Sequence, residues 1–86
     1  MSPPDRPDRD QLEVGLVKLL GLRFEEASAD RVVLGCTVTP DLHQPFGLVH
    51  GGVYATMAET AASVAGALWL GDQGKVVGVS NHTDFL

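Results

Sequence analysis

The run from Gly52 to Leu70, GVYATMAETAASVAGALWL, constrains this chain more than any other stretch. It is rich in alanine, lacks proline, and holds one charged residue, Glu59. That composition predicts a long helix. A helix apolar around most of its circumference has to be covered on most sides. The rest of the chain must therefore supply a surface that wraps it, or borrow one. Burying a lone carboxylate in such a helix costs free energy unless it is paired, so Glu59 needs a reason to be there.

At 100° per residue, Thr56, Glu59, Thr60 and Ser63 fall at i, i+3, i+4 and i+7 and form one narrow polar stripe. A stripe of this kind can be a wet edge facing solvent. It can also be the wall of a cleft. No lysine or arginine lies on it, as a solvent edge would normally have, which favours the cleft. Partial burial there would make the carboxylate a better proton acceptor near neutral pH. Ala55, Ala58, Ala61, Ala62, Ala65 and Ala67 would let a sheet or another helix approach closely.

Ahead of the helix stands HQPFGLVHGG, a loop ending in Gly51 and Gly52. The first backbone N–H groups of a helix have no internal partner and lie at the positive end of its dipole. Glycine there lets a ligand approach the backbone, so Gly51 and Gly52 are candidates for polarising a carbonyl. Two glycines at a helix start can equally be a turn and nothing more. Glu59 follows Gly51 by eight residues, roughly 12 Å of helix axis. One carbonyl cannot touch both groups of one chain. A dimer in which each copy supplies one of them would satisfy the geometry.

The remaining segments are shorter. Met1 to Arg9 holds three prolines and four charges and is expected to be a flexible tail. Asp10 and Glu13 have capping-box spacing, and Leu12, Leu16, Leu19 and Leu20 recur at helical intervals, so a helix is expected from Gln11 to Leu20 with Gly21 at its C-terminal turn. Leu22–Glu26 and Arg31–Thr39 are expected to pair as an antiparallel hairpin around a turn at Ala27–Asp30, with Val32, Leu34, Cys36 and Val38 on one face. Pro40 stops the second strand. Lys75 to Leu86 alternates as a third strand, with Val77, Val79, Asn81, Thr83 and Phe85 on one face. The class is α+β. Two short strands and one that runs to the last residue cover a 19-residue helix poorly, so a truncated domain over residues 10–86, or a partner supplying the missing strands, is expected.

Charge and cysteine content narrow the function. The net charge is −5 with no basic cluster, which argues against nucleic acid as a partner. The single cysteine, Cys36, allows no internal disulfide, is expected to be a small buried apolar residue, and fits a reducing cytoplasm. No apolar run is long enough for a membrane span, because Thr56, Glu59, Thr60 and Ser63 interrupt the best candidate. His43, His50 and His82 lack the spacing of a zinc site, so no metal is called for.

The motif His43-Gln44-Pro45-Phe46-Gly47-Leu48-Val49-His50-Gly51-Gly52, with Ala58-Glu59-Thr60-Ala61 behind it, resembles the hotdog-fold acyl-CoA thioesterases. It is most similar to the branch with the phenylacetate-pathway enzymes and the Arthrobacter-type 4-hydroxybenzoyl-CoA thioesterase. The likeness runs from Gln11 to Leu86, and its specific part is Gln44 to Ser63. It implies a long central helix wrapped by an antiparallel sheet, with further strands beyond the position of Leu86. It also implies homodimers or homotetramers whose sites lie between subunits. By position it makes Glu59 the catalytic carboxylate, acting on water or on the thioester itself. Gly51 becomes the N–H donor to the thioester carbonyl, Gln44 the carboxamide that orients the acyl group or the water, and Ser63 the hydroxyl that helps position the nucleophile. His50, Gly52, Phe46 and Thr60 fall at substrate-binding positions. No cofactor is implied, CoA being part of the substrate. Two rivals stand beside this reading. One is a hotdog hydratase or dehydratase pairing His50 or His43 with the carboxylate. The other is a non-catalytic acyl-binding or truncated member.

Overall fold

Two short helices, a hairpin, a tight loop and one long helix follow each other in the computed structural model, which describes residues 9–84. The elements are α1 (Arg9–Leu12), α2 (Gly15–Leu19), β1 (Leu22–Ala27), β2 (Val32–Cys36), a 3-10 turn at Pro40–Leu42, α3 (Gly51–Leu70) and a second 3-10 turn at Gly71–Gln73. The tail expected over residues 1–9 lies outside the described residues except for Arg9, which opens α1.

The first helix is not continuous. Gly15 takes φ +58, a conformation that glycine adopts without steric cost and that a helix interior cannot hold. Val14 before it is extended, and the ladder restarts at Gly15. The Glu13 carboxylate accepts from the Phe24 N–H of β1 at 2.9 Å. A tertiary hydrogen bond thus recruits the side chain that local spacing assigns to a cap. Gly21 does close α2, with φ +70 and its N–H donating to the Lys18 carbonyl at 3.0 Å. The leucine stripe splits with the helix, leaving Leu16 and Leu19 exposed.

The hairpin forms as expected, antiparallel, with Leu22 opposite Cys36 and Phe24 opposite Leu34. Glu25 is the extra residue of a bulge between Phe24 and Glu26. Ser28 builds the turn: its hydroxyl accepts from the N–H groups of Asp30 and Arg31. Leu22 and Phe24 point inward and are buried, with Leu42 and Val53 completing the core. Cys36 and the rest of β2 are only half-buried, without the expected alternation between faces.

The long helix packs mainly on β2 and less on β1. A 20-residue helix is about 30 Å long, whereas two paired strands make a strip about 5 Å from axis to axis. The sheet cannot cover the helix all round, and only Val53 of α3 is fully buried. Trp69 is 76% exposed, and Ala58, Ala62 and Ala67 also face outward. The expected third strand is corrected in the same way. Residues 75–84 form no ladder with any described strand, and Val79 is 92% exposed. Alternating residues mark strand potential, but a strand needs a neighbour to pair with. Phe85 and Leu86 lie outside the described residues.

Candidate active site

The loop before α3 is built around a turn at Gln44–Gly47. Pro45 presets the backbone angle at the second position, and the Gly47 N–H donates to the Gln44 carbonyl at 3.0 Å. Gly47 itself sits at φ +84. The loop is closed by a bridge between His43 and Val49 and by the Gln44 N–H, which donates to the Leu48 carbonyl at 2.7 Å. The Gln44 side-chain oxygen accepts from the Phe46 N–H, so the carboxamide is held by its own turn and only its NH2 remains to donate outward. Phe46 projects from the tip, 87% exposed.

At the helix start His50 is the N-cap, with φ −62 and ψ 133, and its Nδ1 accepts from the Gly52 N–H at 2.8 Å. A ring nitrogen that accepts carries no proton, so in the neutral ring the hydrogen is on Nε2. The second glycine is explained by the cap and not by ligand access. A Cβ at position 52 would stand 3.0 Å from His50 Nδ1 and 3.3 Å from Cε1. The Gly51 N–H, between the cap and the first helical bond, has no acceptor among the described residues. His50→Ala is therefore expected to lower stability by about 1 kcal/mol in chemical unfolding, while His50→Asn, which can cap in the same way, should stay near wild type.

Two turns further on, Glu59 is exposed and flanked by Ala58 and Ala62, with Thr56, Thr60 and Ser63 half-buried on either side. The partial burial expected of Glu59 is not met within one chain. Its Oε1 accepts from the Ser63 hydroxyl at 2.7 Å, and its Oε2 has no partner among the described residues. Thr56 donates to the Gly52 carbonyl one turn back, at 2.8 Å. Glu59 and Ser63 line an open hollow with Gly78, Ser80, Asn81 and His82. His50, Gly52 and Thr56 line another, with Leu42 and Val53. The structure thus brings Glu59 to Ser63, His50 to Gly52, and Gln44 to Phe46, but does not join the three groups. With α3 helical throughout from Gly51, the rise to Glu59 is roughly 12 Å. Neither Gly78 nor Asn81 stands out in a search for reactive side chains. The available signal is a glycine inside an alternating apolar pattern, which marks close approach of another group.

An antiparallel sheet laid on one long helix, with a half-exposed polar stripe, is the hotdog arrangement. The crystal structure of AziG from S. sahachiroi superposes with a TM-score of 0.80 at 51% identity, over 85% of this chain and 58% of that one, and the fold of this chain is the hotdog fold. Residues 46–86 match the thioesterase superfamily. A Mycobacterium tuberculosis protein, named provisionally as an esterase, is 44% identical over 86 residues, spanning 96% of this chain and 61% of the relative. The 1,4-dihydroxy-2-naphthoyl-CoA hydrolase of Escherichia coli is 40% identical over 73 residues, 81% of this chain and 54% of the relative. The proofreading thioesterase EntH of Cronobacter turicensis is 43% identical over 63 residues, 73% of this chain and 46% of the relative. The chain spans about half to three-fifths of the length of these proteins.

Proposed function

We propose that the protein is a thioesterase of that superfamily, hydrolysing acyl-CoA thioesters to a free acid and CoA. The observation that carries this reading is the state of Glu59. One carboxylate oxygen is held by Ser63 at 2.7 Å while the other has no partner among the described residues, on a helix whose first N–H likewise has none among them. That second oxygen is the reacting one. It either takes a proton from the attacking water or attacks the thioester carbon and expels the thiolate, leaving a mixed anhydride that water opens. The Gly51 N–H receives the charge that develops on the carbonyl oxygen. The Gln44 amide group orients the acyl group or the water, and His50, Gly52, Phe46 and Thr60 border the bound acyl chain.

Glu59 and Gly51 are too far apart to serve one carbonyl, so each site takes Glu59 from one copy and Gly51 from another. The apolar surface left open on α3 and residues 75–84, which join no described strand, support such a homodimer, alone or within a tetramer. The CoA-thioester name of the Escherichia coli relative favours acyl-CoA as the substrate class, and the Gln44–Ser63 motif favours the phenylacetate and Arthrobacter-type branch. No described helix is long and apolar enough to cross a membrane, in keeping with a protein that works on a dissolved substrate in the cytoplasm. Thiol release from a panel of aliphatic and aromatic acyl-CoAs tests the reading. At least one should be hydrolysed with a kcat/KM of about 10⁴ M⁻¹ s⁻¹ or more. If none is cleaved faster by the wild type than by Glu59→Ala, the protein is not this enzyme.

A further inference from the structure

The chain after α3 turns back along the helix, and contacts at Val76, Gly78 and Asn81 mark its course. Val76 lies over Gly66, where an added Cβ would come within 3.2 Å of its Cγ1. Gly78 lies against Glu59, where an added Cβ would overlap Oε1 and stand 3.2 Å from Cδ and 3.3 Å from Cγ. The side chain of Asn81 donates to the Ala55 carbonyl at 3.0 Å, and Thr83 donates to the Asn81 side-chain oxygen at 2.8 Å. From Gly66 back to Ala55 is roughly 16.5 Å of helix, and from Val76 to Asn81 roughly 16.5 Å of extended chain. The segment therefore runs antiparallel to α3 and in step with it. The carbonyl that Asn81 grips is the one that accepts the Glu59 N–H within the helix.

Gly78 is not glycine for the sake of its backbone, since its φ lies outside the left-handed region. What the position requires is space. The atoms that a side chain would strike belong to the far end of Glu59, which can swing away at little cost to the fold. The damage would fall on the direction of the carboxylate. We propose that Gly78 is a positioning residue for Glu59, leaving the room in which Oε1 faces Ser63, and that Asn81 pins the segment which places Gly78 there. This rests on Glu59 being the reacting carboxylate.

The test is Gly78→Ala in the whole protein, alone and combined with Glu59→Asp, assayed beside Glu59→Ala. Gly78→Ala should lose about 10²-fold in kcat, as misplacement of a catalytic group by about 1 Å does, with KM and the unfolding midpoint close to wild type. Asp withdraws the carboxylate by one methylene and clears the added methyl. In the Glu59→Asp background the same change should therefore cost about threefold or less, a coupling that a merely structural role would not produce. If Glu59→Ala turns over like wild type, the reading of Glu59 falls and this proposal with it. If Glu59→Ala is inactive while Gly78→Ala is fully active, or costs the same in both backgrounds, only the positioning role is overturned.

Discussion

Glu59→Ala is expected to cut acyl-CoA hydrolysis by roughly 10³-fold while leaving the fold intact. The side chain is exposed and its hydrogen bond to Ser63 lies at the surface, so its loss removes little stability. Alanine is also the better helix former at a mid-helix position. The effect should fall on kcat, since the proposed role sets the carboxylate on the reacting atoms and not on the body of the CoA. Initial rates of thiol release, read beside the chemical unfolding curve of the same preparation, check both halves of the expectation. A variant as active as the wild type would remove the base from the mechanism. A variant that fails to fold would show that Glu59 has a structural role which its exposure does not reveal.

Gly51→Pro should fold as well as the wild type and lose roughly 10²- to 10³-fold in kcat. Gly51 is the first helical residue, where proline fits because no intrahelical bond is lost. The residue before a proline is pushed toward extended geometry, and His50 is already there, at φ −62 and ψ 133. The substitution therefore deletes the N–H and leaves the cap on Gly52 in place. Full activity would mean that another group receives the oxyanion. The contrast with His50→Ala is informative, since that change should act on stability first.

Much of this arrangement was legible in the residues. The hairpin at Leu22–Cys36 and the helix to Leu70 follow from alternation and from a long run of helix formers, both of which are local signals. The polar stripe follows from the helical period, and the bond between Ser63 and Glu59, one turn apart, lies on it. Most of what the residues did not reveal involves distant partners. The break at Gly15 goes with a hydrogen bond from β1 to Glu13, which no local pattern reveals. Residues 75–84 have the alternation of a strand, but no described strand pairs with them. The Gln44 oxygen and Gly52 serve the local architecture, the turn and the cap, before any ligand is considered. Gly78 is conspicuous as a glycine among valines, yet its reason is the Glu59 carboxylate nineteen positions earlier.

The central claim is that Glu59 and Gly51 of different copies share one site, and subunit mixing tests it most directly. Glu59→Ala and Gly51→Pro, each inactive alone, are co-expressed at equal levels under different tags, and the doubly tagged species is isolated. In each mixed dimer one site keeps both groups and the other has neither, so its activity should reach about half that of a wild-type dimer, or about a quarter for the unsorted mixture if pairing is random. Mixed dimers no more active than the two parents would contradict the account, because both groups would then have to act within a single chain.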